Sequence, residues 1–213
     1  MASLSSFQQF SPDILLLSET NVDWCVRDNS YLTKLRIRAA WSPTPVKTVM
    51  TSCPWDNPLR TSYQPGGVLS SFTNSMTSRI KTNLNDTYGR FTKTVLQAKN
   101  KNIAIYNVYR PNVMSLGSAG IDTVWMQQWW ILRDKDPKVD PRKKCIEDLI
   151  TEIQKGYEDN EFPIIFGDFN EDLEKDSGFG MKNLIQLCAL EQVYLSKQGS
   201  IPSSRNNSRS INK

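Results

Sequence analysis

Residues 162–170 read FPIIFGDFN, a short apolar run that ends at Gly167 and is followed at once by Asp168 and Asn170. A strand-length run without polar alternation is typical of a strand covered on both faces, as in layered α/β proteins. Gly167 lets another group approach the backbone closely. Because such folds place their sites at the ends of these strands, the segment predicts an α/β fold with a site after residue 167.

Two other segments repeat this pattern. DILLLS, residues 13–18, leads into Glu19, and NIAIYNV, residues 102–108, leads into Tyr109. Further strands are predicted over 66–72 and 91–96, and a connector followed by a strand over 31–52. Apolar residues at three- and four-residue intervals predict helices over 123–133, 142–157 and 179–190, with a charged linker over 134–141 between the first two. Strands and helices therefore interleave along the chain.

The composition limits the chemistry available to the protein. The chain has 213 residues, a formal charge of +4 and no histidine. Without histidine there is no Ser/His/Asp triad, no Cys/His dyad and no histidine-ligated zinc site. Any catalysis must therefore use carboxylates, amides, Tyr, Lys or Cys.

The length and the remaining composition predict a single domain over 1–213. No apolar run approaches the ~20 residues that span a bilayer, and no signal peptide is recognisable, so we expect an intracellular protein, with nucleus and cytoplasm not distinguished. The scattered cysteines are expected to be reduced thiols. The basic segment 203–213 is interpreted as a frayed tail rather than a phosphate-contacting edge.

The polar residues after the strands are the candidate site. Taken singly, Glu19 resembles a turn or helix cap, Tyr109 a loop contact, and Asp168 and Asn170 an Asx-type turn. On an extended backbone, Asp168 and Asn170 would instead point to the same side. Together the four residues suit a phosphodiesterase, because Mg²⁺ needs only one or two carboxylates besides water and substrate phosphates, and amide and phenol donors can hold phosphate oxygens.

The ordered motifs DILLLSET, PGGVLSSF, YGRFTKTVL, IAIYNVYRPN and FPIIFGDFNEDL resemble the endonuclease/exonuclease/phosphatase superfamily. The similarity is greatest to the variant encoded by non-LTR-type retroelements and covers nearly the whole chain. It implies a four-layer α/β sandwich of two packed mixed sheets flanked by helices. It also implies Mg²⁺ or Mn²⁺ as cofactor and, for the retroelement branch, DNA as the substrate that is nicked.

The resemblance also implies roles for individual residues. Glu19 would be the metal-ligating carboxylate and Tyr109 would contact the scissile phosphate. Asp168 would position and activate the attacking water, and Asn170 would orient a phosphate oxygen. Arg90 and Arg110, which lie within the matching motifs, are expected to contact nucleic acid.

The chain departs from the family pattern near both ends. The family's first strand, with its Asn, has no counterpart in residues 1–10, and Asn212 stands in SRSIN where the family has Asp. The last strands and the closing Asp-His pair are also missing from the sequence. We therefore expect a domain that lacks its first and last strands and has weak or no activity, because losing an acid–base partner typically costs ~10²–10⁴-fold in rate.

Three functions remain open from the sequence. The first is a truncated Mg²⁺-dependent DNA endonuclease. The second is a non-catalytic nucleic-acid-binding domain that uses Arg79, Lys81, Arg90 and Lys93 together with the basic carboxyl-terminal segment. The third is a phosphatase of the same superfamily. Whether the chain is an enzyme is therefore not decided by its residues.

Overall fold

The computed structural model describes residues 11–54, 64–172 and 180–190, and within these ranges seven strands form two sheets. The first sheet contains β1 (Ile14–Ser18), β2 (Val46–Thr51) and β3 (Val68–Thr73). The second contains β4 (Ile80–Asn85), β5 (Phe91–Leu96), β6 (Asn102–Tyr109) and β7 (Glu161–Asp168). The predicted α/β class is confirmed.

The strand order brings the ends of several strands to one edge. The first sheet has the order β1-β3-β2 with antiparallel pairs, and Ser18 at the end of β1 lies opposite Val68 at the start of β3. The second sheet has the order β4-β5-β6-β7 and is mixed, because β6 and β7 are parallel. In that parallel pair Tyr109 lies opposite Asp168, so two candidate site residues end neighbouring strands.

The two sheets face each other across an apolar cluster. Phe72 of β3 packs there with Leu96 and Ile105 of the second sheet, and Ile14 and Leu16 of β1 pack against them. Residues alternate between the two faces of a strand, so Leu15 belongs to a different cluster. The apolar run at 14–17 is thus covered on both faces.

Helices cover the outer faces of both sheets. On the first sheet, Ile37 of α1 (Arg27–Ala40) packs with Leu15 and Leu69. On the second, α4 (Pro141–Glu158) and α5 (Met181–Leu187) pack onto the largest cluster. The short helix α2 (Ser75–Ser78) follows β3. None of the described helices combines the length and the hydrophobicity needed to cross a bilayer.

Capping residues set where two of the predicted helices begin. Helix α3 (Val124–Leu132) starts after Thr123, whose side chain accepts a hydrogen bond from the backbone N–H of Met126. Helix α4 starts after Asp140, which accepts from the N–H of Arg142, with proline at the first helical position. Both helices are confirmed close to their predicted bounds.

The structure differs from the sequence-based expectation in three places. Strand β7 is not covered on both faces as its apolar run predicted, because Phe162 and Phe166 are 56% and 46% exposed. Residues 31–40, predicted as a connector, belong to helix α1, of which only Ile37 is buried. Strand β4 was not predicted, because five of its six residues are exposed and it shows no alternation of apolar residues. Asn212 and the basic segment 203–213 lie outside the described residues.

Candidate functional site

Three strand ends hold the candidate site residues. Glu19 directly follows β1, Tyr109 is the last residue of β6, and Asp168 is the last residue of β7. Asn170 follows two residues after Asp168. The hydrogen bond from the Arg110 N–H to the Asp168 carbonyl, 2.9 Å long, keeps β6 and β7 together beyond their last paired residues.

The hydroxyl of Tyr109 is the point on which these side chains converge. It donates to Oε1 of Glu19 over 3.3 Å. Burial raises the pKa of Tyr109, and the negative charges of Glu19 and Asp168 raise it further, while a hydrogen bond with Asn170 opposes this shift. The phenol therefore stays protonated and acts as a hydrogen-bond donor. The structure thus brings all four predicted residues into one site.

The loop after β1 is tied to the turn that precedes β3. The N–H of Thr20 donates to the Gly67 carbonyl over 3.1 Å, and the N–H of Asn21 to the Gly66 carbonyl over 2.7 Å. In return, Gly66 N–H donates to Oδ1 of Asn21 over 2.9 Å. These bonds fix Glu19, whose own side chain is exposed, and they explain why the Pro65-Gly66-Gly67 motif accompanies the site.

Asp168 at the end of β7 and Asn170 just beyond it are brought together by a turn. The N–H of Asn170 donates to Oδ1 of Asp168 over 2.9 Å, and Asn170 has a left-handed backbone with φ of 49°. Asparagine tolerates this conformation better than most residues. The expectation that an extended backbone aligns these side chains was wrong. Instead, the Asx-type turn itself places Asp168 and Asn170 side by side in the site.

A cleft of about 130 Å³ opens beside Tyr109 and Glu19. Its walls include apolar Pro65, Val124 and Trp125 and three polar residues that the sequence analysis did not select, Asn21, Asn112 and Asp122. Asn112 is the last residue of the YRPN motif that begins at Tyr109, so its place just after a strand could have identified it as a site residue. Asp122 lies on an exposed loop before α3, and no pattern in the sequence identifies it as a site residue.

The two arginines expected to contact nucleic acid lie in the interior. Arg90 has 1% of its surface exposed and pairs with Asp86 at 2.8 Å and Asp148 at 2.7 Å. Arg110 has 3% exposed and pairs with Glu171 at 2.6 Å. Both guanidinium groups are engaged by carboxylates, so this placement favours a structural role over direct contact with a phosphate.

Lys93, a further basic candidate, is engaged in the same way. Its ammonium lies 2.9 Å from Glu152 and 2.8 Å from Glu161. Although burial opposes its charge, these two carboxylates hold the pKa of Lys93 above its ordinary value. Of the four basic residues considered near the strands, Arg79 and Lys81 are exposed.

The residues around Tyr109 fit a hard divalent cation bound mainly by water and substrate. Glu19 and Asp168 offer two carboxylates, which is what Mg²⁺ commonly takes from a protein. Within the described ranges, no three carboxylate, thiol or imidazole side chains gather so as to enclose a metal. A fully ligated structural metal site is therefore not what these residues form.

Structural comparison finds related folds. The AP endonuclease LMAP from Leishmania major matches with a TM-score of 0.52 and 17% identity over 87% of this chain and 60% of its own. An endonuclease/exonuclease/phosphatase family protein from Leptotrichia buccalis gives 0.48 and 12%, over 86% and 65%. Beta toxin from Staphylococcus aureus gives 0.46 and 14%, over 89% and 64%.

The chain spans less than two thirds of the length of each of these three structures. No family model and no curated protein sequence matches it. The match to LMAP exceeds a TM-score of 0.5 at an identity that speaks for the fold alone. The chain therefore shares the fold of this AP endonuclease over most of its own length.

Proposed function

We propose that this domain is a Mg²⁺- or Mn²⁺-dependent phosphodiesterase that nicks DNA, of the type found in retroelements. The observation that carries the proposal is the grouping of Glu19, Asp168 and Asn170 around Tyr109, which donates to Glu19 and lies opposite Asp168 in the sheet. This set combines an anionic group for a cation, a base for water and two neutral donors for phosphate oxygens. The sequence motifs support the retroelement type.

Each residue has a role that its surroundings support. Tyr109 remains a neutral donor because its pKa is raised, so it can hold an oxygen of the scissile phosphate. Asp168 orients a water molecule and takes its proton as the water oxygen bonds to phosphorus. The phosphorus–oxygen bond to the leaving group then breaks and its oxygen takes a proton from a solvent water, so the products are a phosphomonoester and a hydroxyl.

Glu19 is the residue that would hold the cation, together with water and phosphate oxygens. A bound divalent cation offsets the negative charge that builds up on the phosphate. The exposure of Glu19 leaves room for those other ligands. Asn170 would donate from its side chain to a second phosphate oxygen.

Several finer expectations stay predictions. They are a four-layer sandwich formed by one domain over 1–213, the lack of its first and last strands, and weak activity. The packing of α1 on the first sheet and of α4 on the second supports the layered arrangement.

Incubation with supercoiled plasmid tests the function directly. We expect slow nicking that requires Mg²⁺ or Mn²⁺ and is lost in Asp168→Ala. Asp159→Ala, which removes an exposed carboxylate after α4, is the matched control and should nick like the unmodified protein.

Three results would contradict the proposal. Nicking that survives in Asp168→Ala or in excess EDTA would assign it to a contaminant. Salt-sensitive DNA binding without nicking would favour a non-catalytic nucleic-acid-binding domain. Phosphate release from small phosphate esters but not from DNA would favour a phosphatase.

A further inference from the structure

The turn that carries Asp168 and Asn170 is held from outside itself. The side-chain amide of Asn170 donates to the Arg110 carbonyl over 2.8 Å. Its backbone carbonyl accepts from Nη2 of Arg142 over 3.3 Å. Asn170 has a left-handed backbone, which asparagine adopts more readily than most residues but less readily than glycine, so these contacts help to stabilise it.

Arg142 links this turn to the segment after β6. Its Nη1 donates a short hydrogen bond to the Pro111 carbonyl, and its own carbonyl accepts from Nε of Arg110 over 3.2 Å. Arg142 is 7% exposed and Arg110 3%. Two buried arginines are therefore joined to each other and contact the turn of the site.

Glu171 supplies the carboxylate that this pair requires. Its Oε2 lies 2.6 Å from Nη1 of Arg110 and accepts from the N–H of Met181 over 2.7 Å. Only 8% of the Glu171 side chain is exposed. One buried carboxylate therefore joins the end of β6 to the start of α5.

Gly180 makes space for this carboxylate. A Cβ at position 180 would lie 1.8 Å from Oε1 and 2.2 Å from Oε2 of Glu171. Even alanine would therefore push the carboxylate away from its present place. The position of Glu171 thus depends on Gly180, which takes no part in the hydrogen bonds of Arg110 and Arg142 given above.

We propose that Glu171 is a positioning residue, which acts through Arg110 and Arg142 to hold the Asp168–Asn170 turn in its working conformation. The inference deepens the proposed function, on which its catalytic meaning rests. Without the negative charge of Glu171, the two buried guanidinium groups repel each other. Arg142 is then less firmly held, and it is the common donor to the carbonyls of Pro111 and Asn170. Neither Glu171 nor Arg142 needs to touch the substrate.

Two variants test the proposal by different routes. Glu171→Gln removes the charge with little change in shape, and Gly180→Ala displaces the carboxylate without altering any member of the cluster. Glu147→Gln, whose 3.7 Å ion pair with Lys143 lies on the surface of α4, controls for the first. Gly117→Ala, where a Cβ would meet nothing within 4 Å, controls for the second.

The first readout is amide hydrogen exchange of Asn170 followed by NMR, which needs no activity. Both variants should speed this exchange about tenfold or more, since each weakens the charged hydrogen bond between Glu171 and Arg110 that helps to hold the turn. Exchange at core amides such as Ile146 should stay unchanged. Unchanged exchange at Asn170 in both folded variants would overturn the proposal. If Glu171→Gln does not fold, Gly180→Ala alone decides.

The second readout separates this inference from the proposed function. In the plasmid assay, the variants should lower kcat about tenfold or more and leave KM for DNA nearly unchanged, because the turn and not the DNA surface is altered. Equal kcat in the variants and the unmodified protein would refute positioning. If the unmodified protein does not nick at all, the proposed function fails, and the exchange of Asn170 still decides whether Glu171 holds the turn.

Discussion

Tyr109 donates its phenolic proton to Glu19 over 3.3 Å and thereby connects the two sheets at the site. The residues are 90 positions apart in the chain, and each ends or follows a strand of a different sheet. Their contact exists only when the sheets pack face to face. The geometry of the site is therefore a property of the sheet packing and not of either loop.

The first prediction concerns the titration of Tyr109. In Glu19→Gln, the pKa of Tyr109 should fall, since the carboxylate is the largest cause of its upward shift after burial. It should stay above the ordinary value for tyrosine because the ring remains buried. The measurement is the tyrosinate absorbance of each protein minus that of its Tyr109→Phe counterpart. Glu147→Gln, on the surface of α4, is the control. If Tyr109 has the same pKa in Glu147→Gln and in Glu19→Gln, the contact between Tyr109 and Glu19 is contradicted.

The second prediction concerns the buried Arg90. Arg90→Met leaves Asp86 without its guanidinium partner, and removing one member of a buried ion pair typically costs ~3–5 kcal/mol. We expect a loss of that size in the free energy of unfolding in urea. Arg79→Met, at an exposed turn, should change stability by less than about 0.5 kcal/mol. Equal effects of the two substitutions would show that Arg90 is not structural.

The sequence predicts the elements whose pattern is local. The apolar run of β7 and the amphipathic spacing of α4 are each visible in one short window, and both elements formed where expected. Helix α1 was not predicted because Tyr31, Leu32 and Leu35 lie on its exposed side. Apolar residues on both sides of a helix remove the periodic pattern by which a helix is recognised. Local pattern therefore identifies an element when one face alone carries its apolar residues.

The candidate site was predictable from strand ends, but its supporting residues were not. Arg110 and Glu171 are 61 positions apart, and no spacing rule connects a basic residue after one strand to an acidic residue after another. The same holds for Arg90 and Asp148, 58 positions apart. The sequence does not show whether a basic residue in a motif faces solvent or pairs with a buried carboxylate. Arg90 and Arg110 were expected to contact nucleic acid, which requires exposed side chains, and both are buried.

The third prediction concerns Gly167, the residue before Asp168. Its φ is +148°, and an added Cβ would lie 2.0 Å from the Val108 carbonyl oxygen. Gly167→Ala should therefore separate the ends of β6 and β7, lower the melting temperature and abolish nicking. Gly117→Ala, with open space around it, should leave both unchanged. A Gly167→Ala protein with the stability and activity of the unmodified one would show that Asp168 does not need this close approach.

The fourth prediction concerns stability at alkaline pH. Burial raises the pKa of Cys145 and of Cys188 from an ordinary 9.0 to about 11. Between these values the unfolded chain has released thiol protons that the folded chain retains. The unfolded state then binds fewer protons, so stability falls as pH rises, by up to about 1.4 kcal/mol per pH unit for each thiol.

Urea unfolding with a reductant at pH 8, 9 and 10 measures this slope. Cys145→Ala should remove part of the loss between pH 9 and 10, whatever its effect at pH 8, because one retained proton is gone. The remainder comes from Cys188 and from Tyr106 and Tyr109, whose pKa values burial also raises. Cys25→Ala, at an exposed thiol, should keep the full slope. If Cys145→Ala and Cys25→Ala lose stability in parallel over this range, the buried thiol ionises in the folded protein as readily as in the unfolded chain. The packing of α4 against the second sheet would then admit water at Cys145, and the core that supports β6 and β7 would be looser than its burial implies.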